Sequence, residues 1–343
     1  MPEYYQLHDF HVRTRSDSPT VSRLLRRTLQ FKGAQYEGEE APPTSDGVEV
    51  TLDISADRDP ASPPEEARHI DVSGHAELDA WRTPGRMVLR YRDVTVDLHP
   101  DAGLAEAAVP SDLLTSRPDR RHSSLLSYMV ALSLAILLRA HGWFPLHAAG
   151  LTREGRGVLL TARSGSGKTT TALSLVRKGW GYLSDDTVLL RSEDSRIRAY
   201  SFRRDFCVDP GLAAHFPELD GPEWPSAPND ASKWRVDPGR IYLGQPTATC
   251  TPALVVLPTL ANASESSVEP VGTKAALEQL LNQGGFFLTP GSDTADDHLT
   301  VLRRLIDQAR TYRLHAGRDV LEEPRTVQAL LAPLLEDAPV PGA

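Results

Sequence analysis

The chain has 343 residues, of which 40% are apolar and 24% are charged, a composition that is ordinary for a globular protein. Its formal net charge of −9 argues against a nucleic-acid-binding surface as the main activity. Its two cysteines, Cys207 and Cys250, are too few for a disulfide framework and show no CxxC metal spacing, so a reducing cytoplasm is the expected location.

The N-terminal third is predicted to be a small, mostly β module. Residues 4–12 and 48–54 alternate with period two and predict strands, and residues 86–99 predict two strands joined by a tight turn. Residues 18–29 carry apolar side chains at helical spacing after a proline at the helix start. Since the length favours two domains and no motif here carries recognisable chemistry, we assign residues 1–122 to this module.

A helix follows that is apolar on nearly every side. The run 125–138 is shorter than the roughly 20 residues that a membrane span needs, and the N-terminus has no apolar signal-peptide core, so no membrane association is expected. A helix of this kind is typically packed between layers, and Gly142 provides its stop. We therefore predict that residues 123–142 connect the first module to a second domain, residues 143–343.

The second domain begins with a recognisable order of elements. Residues 156–190 (RGVLLTARSGSGKTTTALSLVRKGWGYLSDDTVLL) predict a strand, a glycine-rich loop, a helix closed by Gly179, and a strand carrying two aspartates. A preceding apolar strand, residues 144–152, is predicted to form a hairpin with the first of these. Strands and helices continue to the C-terminus, so the domain is expected to be α/β.

The loop at residues 162–169, ARSGSGKT, fits the Walker A pattern GxxxxGK[ST] except that Ala162 replaces the first glycine. Its glycines allow backbone N–H groups to surround an anion, and the following helix adds its positive end. Lys168 is predicted to reach the β- and γ-phosphates, and Thr169 to ligate Mg²⁺. The predicted nucleotide-binding residues are Ser164, Gly165, Ser166, Gly167, Lys168, Thr169 and Thr170.

Asp185 and Asp186 are expected to lie beside this loop if the two strands are neighbours in a parallel sheet. One carboxylate would hold Mg²⁺, and the second would accept a proton from an attacking hydroxyl. The alternative, a solvated turn, fits poorly because apolar residues precede and follow the pair. A functional pair is therefore the favoured interpretation.

Other candidates are individually weaker. His147 is the one titratable side chain on the apolar strand 144–152, where a histidine is by itself more often a core residue. Phosphoryl transfer also needs cations that neutralise the γ-phosphoryl oxygens. Lys233 and Arg235 are the favoured candidates ahead of Arg203 and Arg204, although each alone is more often a surface cation.

Together these residues resemble the catalytic domain of HPr kinase/phosphorylase and its relatives in biosynthetic gene clusters. That family has a histidine before the loop, a loop GxSGxGK[ST], a helix ALxLVx[RK]G and an aspartate pair. Here His147, ARSGSGKT, ALSLVRKG at 172–179, and Asp185 with Asp186 stand at matching spacings. The resemblance covers residues 145–190 closely and extends loosely to residue 335.

The resemblance implies a P-loop domain with a mixed sheet, similar to that of phosphoenolpyruvate carboxykinase, and the cofactors ATP and Mg²⁺. It implies that Asp185 is the general base, that Asp186 and Thr169 are Mg²⁺ ligands, and that Lys168 clamps the phosphates. His147 would support the attacking or leaving oxygen. Since the family forms oligomers, a homo-oligomer is also implied as one option.

Two departures from the family pattern bear on the acceptor. Residues 233–237 (KWRVD) stand where the family has a glycine-rich catalytic segment, and the N-terminal module differs as well. The expected acceptor is therefore a serine or similar hydroxyl of a peptide or small molecule and not HPr itself. Two alternatives stay open, a nucleotide-binding regulator or scaffold without phosphotransfer, and a hydrolytic NTPase, for which no obvious water-positioning residue follows the aspartate pair.

Overall fold

A computed structural model describes the chain as two compact units, one formed mainly by Met1–Trp143 and the other mainly by the residues from Phe144 onward. No helix in the described part of the chain is both long and apolar enough to span a bilayer. The described residues are 1–40, 48–56, 58–71, 77–110, 120–163, 165–202, 205–220, 223–227, 232–242, 246–283, 294–323 and 325–338.

The first unit contains a nine-stranded sheet in the order β3-β1-β2-β4-β9-β8-β7-β6-β5. Its strands are β1 (Glu3–Leu7), β2 (Phe10–Ser16), β3 (Gln35–Gly38), β4 (Val48–Ser55), β5 (Arg68–Asp71), β6 (Leu78–Thr83), β7 (Arg86–Tyr91), β8 (Val94–His99) and β9 (Leu104–Ala108). Strand β4 is parallel to both β2 and β9. The single strand predicted at residues 4–12 is wrong, because His8 adopts a positive φ of 55° and turns β1 back into β2.

The described residues of this unit include two α-helices, α1 (Pro19–Phe31) and α2 (Arg120–Ala140). Ser18 caps α1 by accepting a hydrogen bond from the Val21 backbone, and the hydroxyls of Thr28 and Ser127 join α1 to α2 at 2.9 Å. Apolar side chains of α2 and of strands β4, β8 and β9 line a small internal cavity. Helix α2 therefore contributes to the core of the first unit.

The second unit contains a mixed sheet in the order β10-β14-β15-β18-β12-β11-β13, with β20 pairing with both β18 and β19. Its strands are β10 (Phe144–Leu146), β11 (Ala149–Arg153), β12 (Arg156–Leu160), β13 (Gly181–Ser184), β14 (Val188–Glu193), β15 (Arg196–Ser201), β18 (Thr249–Leu260), β19 (Ser267–Pro270) and β20 (Arg310–Ala316). The two remaining strands, β16 (Phe206–Val208) and β17 (Trp234–Val236), pair with each other in a separate ribbon. Strand β18 is parallel to β12 and β20, whereas the other pairs in the sheet are antiparallel. The predicted mixed α/β architecture is confirmed.

Within the described ranges, five α-helices accompany this sheet: α3 (Lys168–Val176), α4 (Thr273–Gln283), α5 (Ala295–Gln308), α6 (Asp319–Glu322) and α7 (Thr326–Glu336). Buried apolar residues of α3 and α7 form one core with strands β11, β12, β18 and β20. This packing holds α3, and with it the end of the glycine-rich loop, against the sheet.

The strand predicted at residues 144–152 is also wrong, because it divides into two strands with different partners. Strand β10 pairs with β14, and β11 pairs with β12 and β13. As a result, β11 lies between β12 and the strand that leads to the aspartates, so those two strands are not neighbours as expected. Both run antiparallel to β11 and hence parallel to each other, so their C-terminal ends still share one edge of the sheet.

Candidate active site

The glycine-rich loop follows directly from β12, and its first residues are held by hydrogen bonds to two other segments. The buried Thr161 donates its backbone N–H to Val256 O and its hydroxyl to His147 O, both at 3.0 Å. Gly165 and Gly167 have φ values of 80° and 93°, a left-handed backbone that favours glycine. These two angles explain why glycine occupies both positions, while Ser164 lies outside the described residues.

Lys168 begins α3 and folds back over the loop. Its side-chain ammonium donates to the backbone carbonyls of Ala162 and Arg163, the latter at 3.3 Å, and the residue is only 8% exposed. Ser166 also turns inward, since its hydroxyl donates to Arg163 O at 2.7 Å. The ammonium group of Lys168 therefore lies where the loop would surround phosphate groups.

The next residue, Thr169, contacts the first aspartate of the pair. Its hydroxyl donates to Asp185 Oδ1 at 2.9 Å. The other oxygen of Asp185, Oδ2, accepts a hydrogen bond from the Cys207 backbone N–H at 3.0 Å, and Asp185 is 3% exposed. A buried carboxylate is thus held between the start of α3 and the ribbon strand β16. Thr170 is half-buried, and its carbonyl accepts a hydrogen bond from Ser174 within α3.

Asp186 is more accessible and contacts His147. The distance from His147 Nδ1 to Asp186 Oδ1 is 3.4 Å, and the two side chains are 31% and 32% exposed. Asp186 Oδ2 accepts a hydrogen bond from the Thr187 hydroxyl at 3.0 Å. Although His147 lies between β10 and β11 and not within a strand, the fold brings it to the aspartates.

The ribbon formed by β16 and β17 carries the predicted cations. Arg235 pairs in register with Cys207, and its guanidinium forms an ion pair with Asp205. Lys233 lies one residue before β17, is half-buried, and accepts a hydrogen bond at its backbone carbonyl from Ala227. Arg235 is thus on the strand adjacent to the one that contacts Asp185, whereas Arg203 and Arg204 lie outside the described residues.

A second contact fixes the segment after β17 to β13. The Tyr182 hydroxyl donates to Asp237 Oδ1 at 3.2 Å and accepts a hydrogen bond from the Gly239 backbone at 3.1 Å. Burial raises the pKa of the Tyr182 phenol, and the nearby Asp237 carboxylate raises it further. The phenol therefore stays protonated and continues to donate this hydrogen bond.

Sequence reasoning missed two contributors to the site. The Cys207 backbone N–H holds Asp185, and the Thr161 side chain holds the strand connection at His147. A backbone donor leaves no signature in residue type, so the contact of Cys207 could not have been read from the sequence. Thr161 is polar at the end of an apolar strand, and that signal alone could have identified it.

The donor set suits ATP and Mg²⁺ chemically. Magnesium prefers oxygen ligands and is usually held by one or two carboxylates together with substrate phosphates. The Thr169 hydroxyl and the Asp185 and Asp186 carboxylates provide such oxygens beside the loop. No cluster of three or more His, Cys, Asp or Glu side chains that could hold a metal alone occurs in the described part of the chain.

Comparisons with known proteins agree with the predicted resemblance. Residues 116–203 match a family described as "SynChlorMet cassette protein ScmC". The chain is 36% identical over 112 residues to an HPr kinase/phosphorylase of Geobacillus thermodenitrificans, which covers 33% of each protein. It is 33% identical over 139 residues to an HPr kinase/phosphorylase of Bacillus cereus, which covers 40% of each. The chain thus spans between a third and two-fifths of the length of these curated relatives.

A structural match is to a protein titled "Structure of the Hpr(Ser) kinase/phosphatase from Coxiella burnetii". It is 14% identical, covers 37% of this chain and 72% of that chain, and has a TM-score of 0.26. The sequence comparisons make a third to two-fifths of the chain similar to HPr kinase/phosphorylase, the family that the residue pattern resembles.

Proposed function

We propose that this protein is an ATP- and Mg²⁺-dependent kinase that transfers the γ-phosphoryl group to a hydroxyl, such as that of serine, in a peptide or small-molecule acceptor. One observation carries the proposal. The Thr169 hydroxyl and the Asp185 carboxylate are hydrogen-bonded at 2.9 Å beside a loop whose Lys168 lies over its carbonyls. The similarity to HPr kinase/phosphorylase supports the reaction class.

The phosphates would be bound by the loop and by Lys168. In the structure Lys168 donates to loop carbonyls, and it would exchange these acceptors for phosphate oxygens, which form stronger, charge-assisted hydrogen bonds. The backbone N–H groups near Gly165 and Gly167 and the start of α3 add positive potential. When bound, Mg²⁺ would offset the negative charge that develops on the phosphoryl oxygens.

The Thr169 hydroxyl can serve two partners at once. It donates its proton to Asp185, so its lone pairs remain to act as a metal ligand. Asp186 is proposed as the carboxylate ligand of the metal, as the family resemblance implies. Asp185 is proposed as the base that takes the proton from the acceptor hydroxyl, with His147 orienting the oxygen near Asp186.

The contacts also fit the reverse division of roles between the aspartates. Both Asp185 oxygens already accept hydrogen bonds, from Thr169 and Cys207, and the side chain is buried. The side chain of Asp186 is 32% exposed and lies beside His147, where an acceptor hydroxyl could approach it from solvent. The experiment that tests the proposal must therefore compare both residues.

Asp185→Asn and Asp186→Asn provide that comparison because asparagine keeps the shape and removes the charge. Loss of a positioned base lowers the transfer rate by about 10²–10⁴-fold while ATP still binds. Loss of a metal ligand instead raises the Mg²⁺ concentration needed for activity. Transfer is measured with γ-labelled ATP and with mass spectrometry of candidate hydroxyl acceptors.

We expect Asp185→Asn to lose transfer rate while ATP still binds. We expect Asp186→Asn to need a higher Mg²⁺ concentration for activity. The opposite result would identify Asp186 as the general base and would leave the proposed kinase activity unchanged. A wild-type protein that binds ATP but phosphorylates none of a broad panel of hydroxyl acceptors would contradict the kinase and favour a regulator or scaffold.

Arg235 is proposed to neutralise charge on the transferred group, in preference to Lys233. It lies on the strand paired with that of Cys207, and Asp205 restrains its guanidinium. The role predicts a lower transfer rate in Arg235→Ala, and an unchanged rate would remove Arg235 from the site.

A further inference from the structure

Leu260, the last residue of β18, is an exposed leucine beside the glycine-rich loop. Its side chain is 68% exposed, and its Cδ2 atom lies 3.3 Å from the position that a Cβ atom would occupy on Gly167. When a ligand covers a large apolar side chain and removes it from water, the free energy of the complex is lowered. Its place against a phosphate-binding loop makes a bound nucleotide the natural cover.

The sheet order places Leu260 on the opposite side of the loop from the aspartates. Strand β18 neighbours β12 on one side, whereas β11 and then β13, which leads to Asp185, lie on the other. The parallel pairing of β12 with β18 reaches Leu160 and Val256, and β18 continues for four residues beyond it along the loop. Ligands of open α/β sheets bind outside the C-terminal ends of parallel strands, and this is such an end.

These positions set the direction of a bound nucleotide. The γ-phosphate must face the carboxylates for transfer to a hydroxyl to occur. The nucleoside at the other end of the phosphate chain is then directed away from Asp185, toward the side on which β18 ends. Leu260 is an apolar side chain on that side.

The backbone that carries Leu260 is braced. Backbone hydrogen bonds join the segment after β18 to the segment after β20: Ala261 N to Ala316 O at 2.8 Å, Arg318 N to Ala263 O at 3.1 Å, and Asp319 N to Ser264 O at 3.2 Å. Gly317 permits this approach, since a Cβ atom there would lie 2.7 Å from the carbonyl carbon of Glu265. The backbone next to Leu260 is thus held in place before any ligand binds, which reduces the entropy lost on binding.

We propose that Leu260 is a binding residue for the nucleoside part of the nucleotide, which packs on its side chain when the phosphates occupy the loop. The inference rests on the nucleotide-binding step of the proposed function and not on the identity of the acceptor or on phosphoryl transfer.

The test compares a nucleotide with a ligand that has phosphates and no nucleoside. Dissociation constants for ATP and for inorganic tripolyphosphate, each with Mg²⁺, are measured by calorimetry on the full chain. Leu260→Ser is expected to bind ATP about ten-fold more weakly, because most of the apolar contact is lost, and to bind tripolyphosphate as the wild type does. Leu260→Met keeps an apolar side chain and should retain ATP affinity.

A matched control is Tyr36→Ser, which removes another exposed apolar side chain, from β3 of the first unit, and should leave both affinities unchanged. Equal weakening of ATP and tripolyphosphate in Leu260→Ser would show that Leu260 acts on the loop through Gly167, and would overturn the inference. Unchanged affinity for both ligands would overturn it as well. A wild type that binds neither ligand would refute nucleotide binding together with the inference, whereas a wild type that binds ATP without transferring phosphate would refute only the kinase.

Discussion

At the scale of single residues, Gly167 shows how the loop depends on a backbone that other residues avoid. Its φ of 93° lies in the left-handed region, and Leu260 occupies the space beside its Cα atom. Gly179, which ends the turn after α3, has a similar φ of 85° but open space around it. Substituting each glycine therefore separates the effect of backbone strain on stability from the effect of position in the site on ATP binding.

We expect Gly167→Ala and Gly179→Ala each to lower the free energy of unfolding by about 1–2 kcal/mol, because a Cβ atom disfavours the left-handed backbone. Only Gly167→Ala should also weaken ATP binding. A loss of about 1.4 kcal/mol of binding free energy, caused by the altered loop backbone, would weaken it on the order of ten-fold. Chemical denaturation and calorimetry measure the two effects. Equal ATP affinity in both variants would contradict the proposed site.

At the scale of elements, the parallel pair β12 and β18 determines where the loop begins. Gly157 of β12 lies very close to β18, since a Cβ atom on it would be 2.5 Å from Cys250 Sγ and 3.0 Å from Thr251 O. Burial raises the pKa of the Cys250 thiol to about 12, so this contact involves a neutral, unreactive side chain. A glycine is therefore required for the two strands to pair at this distance.

Gly157→Ala is expected to lower the free energy of unfolding by about 1–3 kcal/mol, as overpacking in a dense core does. Adding Cys250→Ala should restore part of the loss, because the thiol contact is relieved while the contact with Thr251 O remains. Gly272→Ala is the control, since nothing lies within 4 Å of the added Cβ atom. If the two substitutions change the free energy of unfolding strictly additively in denaturant, the Cys250 thiol does not obstruct the Cβ atom added at Gly157.

At the scale of the whole molecule, the chain divides into two units, and the candidate site lies entirely in the second. The first unit, as far as its residues are described, has its own nine-stranded sheet and two α-helices. A ligand that binds only the folded state stabilises the protein according to its concentration relative to its dissociation constant. Binding at the site can therefore be followed through the stability of the complete chain.

ATP with Mg²⁺ at about 100 times its dissociation constant should stabilise the protein by about 2.7 kcal/mol. Lys168→Ala should lose most of this stabilisation because it removes the buried ammonium at the loop, whereas Lys274→Ala, an exposed lysine on α4, should keep it. Thermal unfolding with and without nucleotide measures the difference. Equal stabilisation of the two variants would place the nucleotide elsewhere.

Much of the site could be predicted from local sequence. The glycines at 165 and 167, the lysine and threonine that follow, and the aspartate pair are functional groups whose spacing along the chain indicates phosphate binding. Their mutual contacts could not be predicted in the same way. The family resemblance implied that Asp186 acts with Thr169, whereas in the structure the Thr169 hydroxyl contacts Asp185 and His147 contacts Asp186. Which carboxylate a hydroxyl reaches depends on strand geometry and not on spacing.

By itself the sequence determined the residues of the loop, the helix after it, the turn between β11 and β12, and the α/β class, because these depend on residues close together in the chain. The mixed sheet was implied by the family resemblance. Only the tertiary structure decided that β11 separates β12 from β13, that His147 meets Asp186, that the Cys207 backbone holds Asp185, and that Leu260 lies beside the loop. Each of these contacts joins residues distant in sequence through strand pairing and packing. Such pairing is selected by the packing of the whole unit, and a local pattern of residues does not encode it.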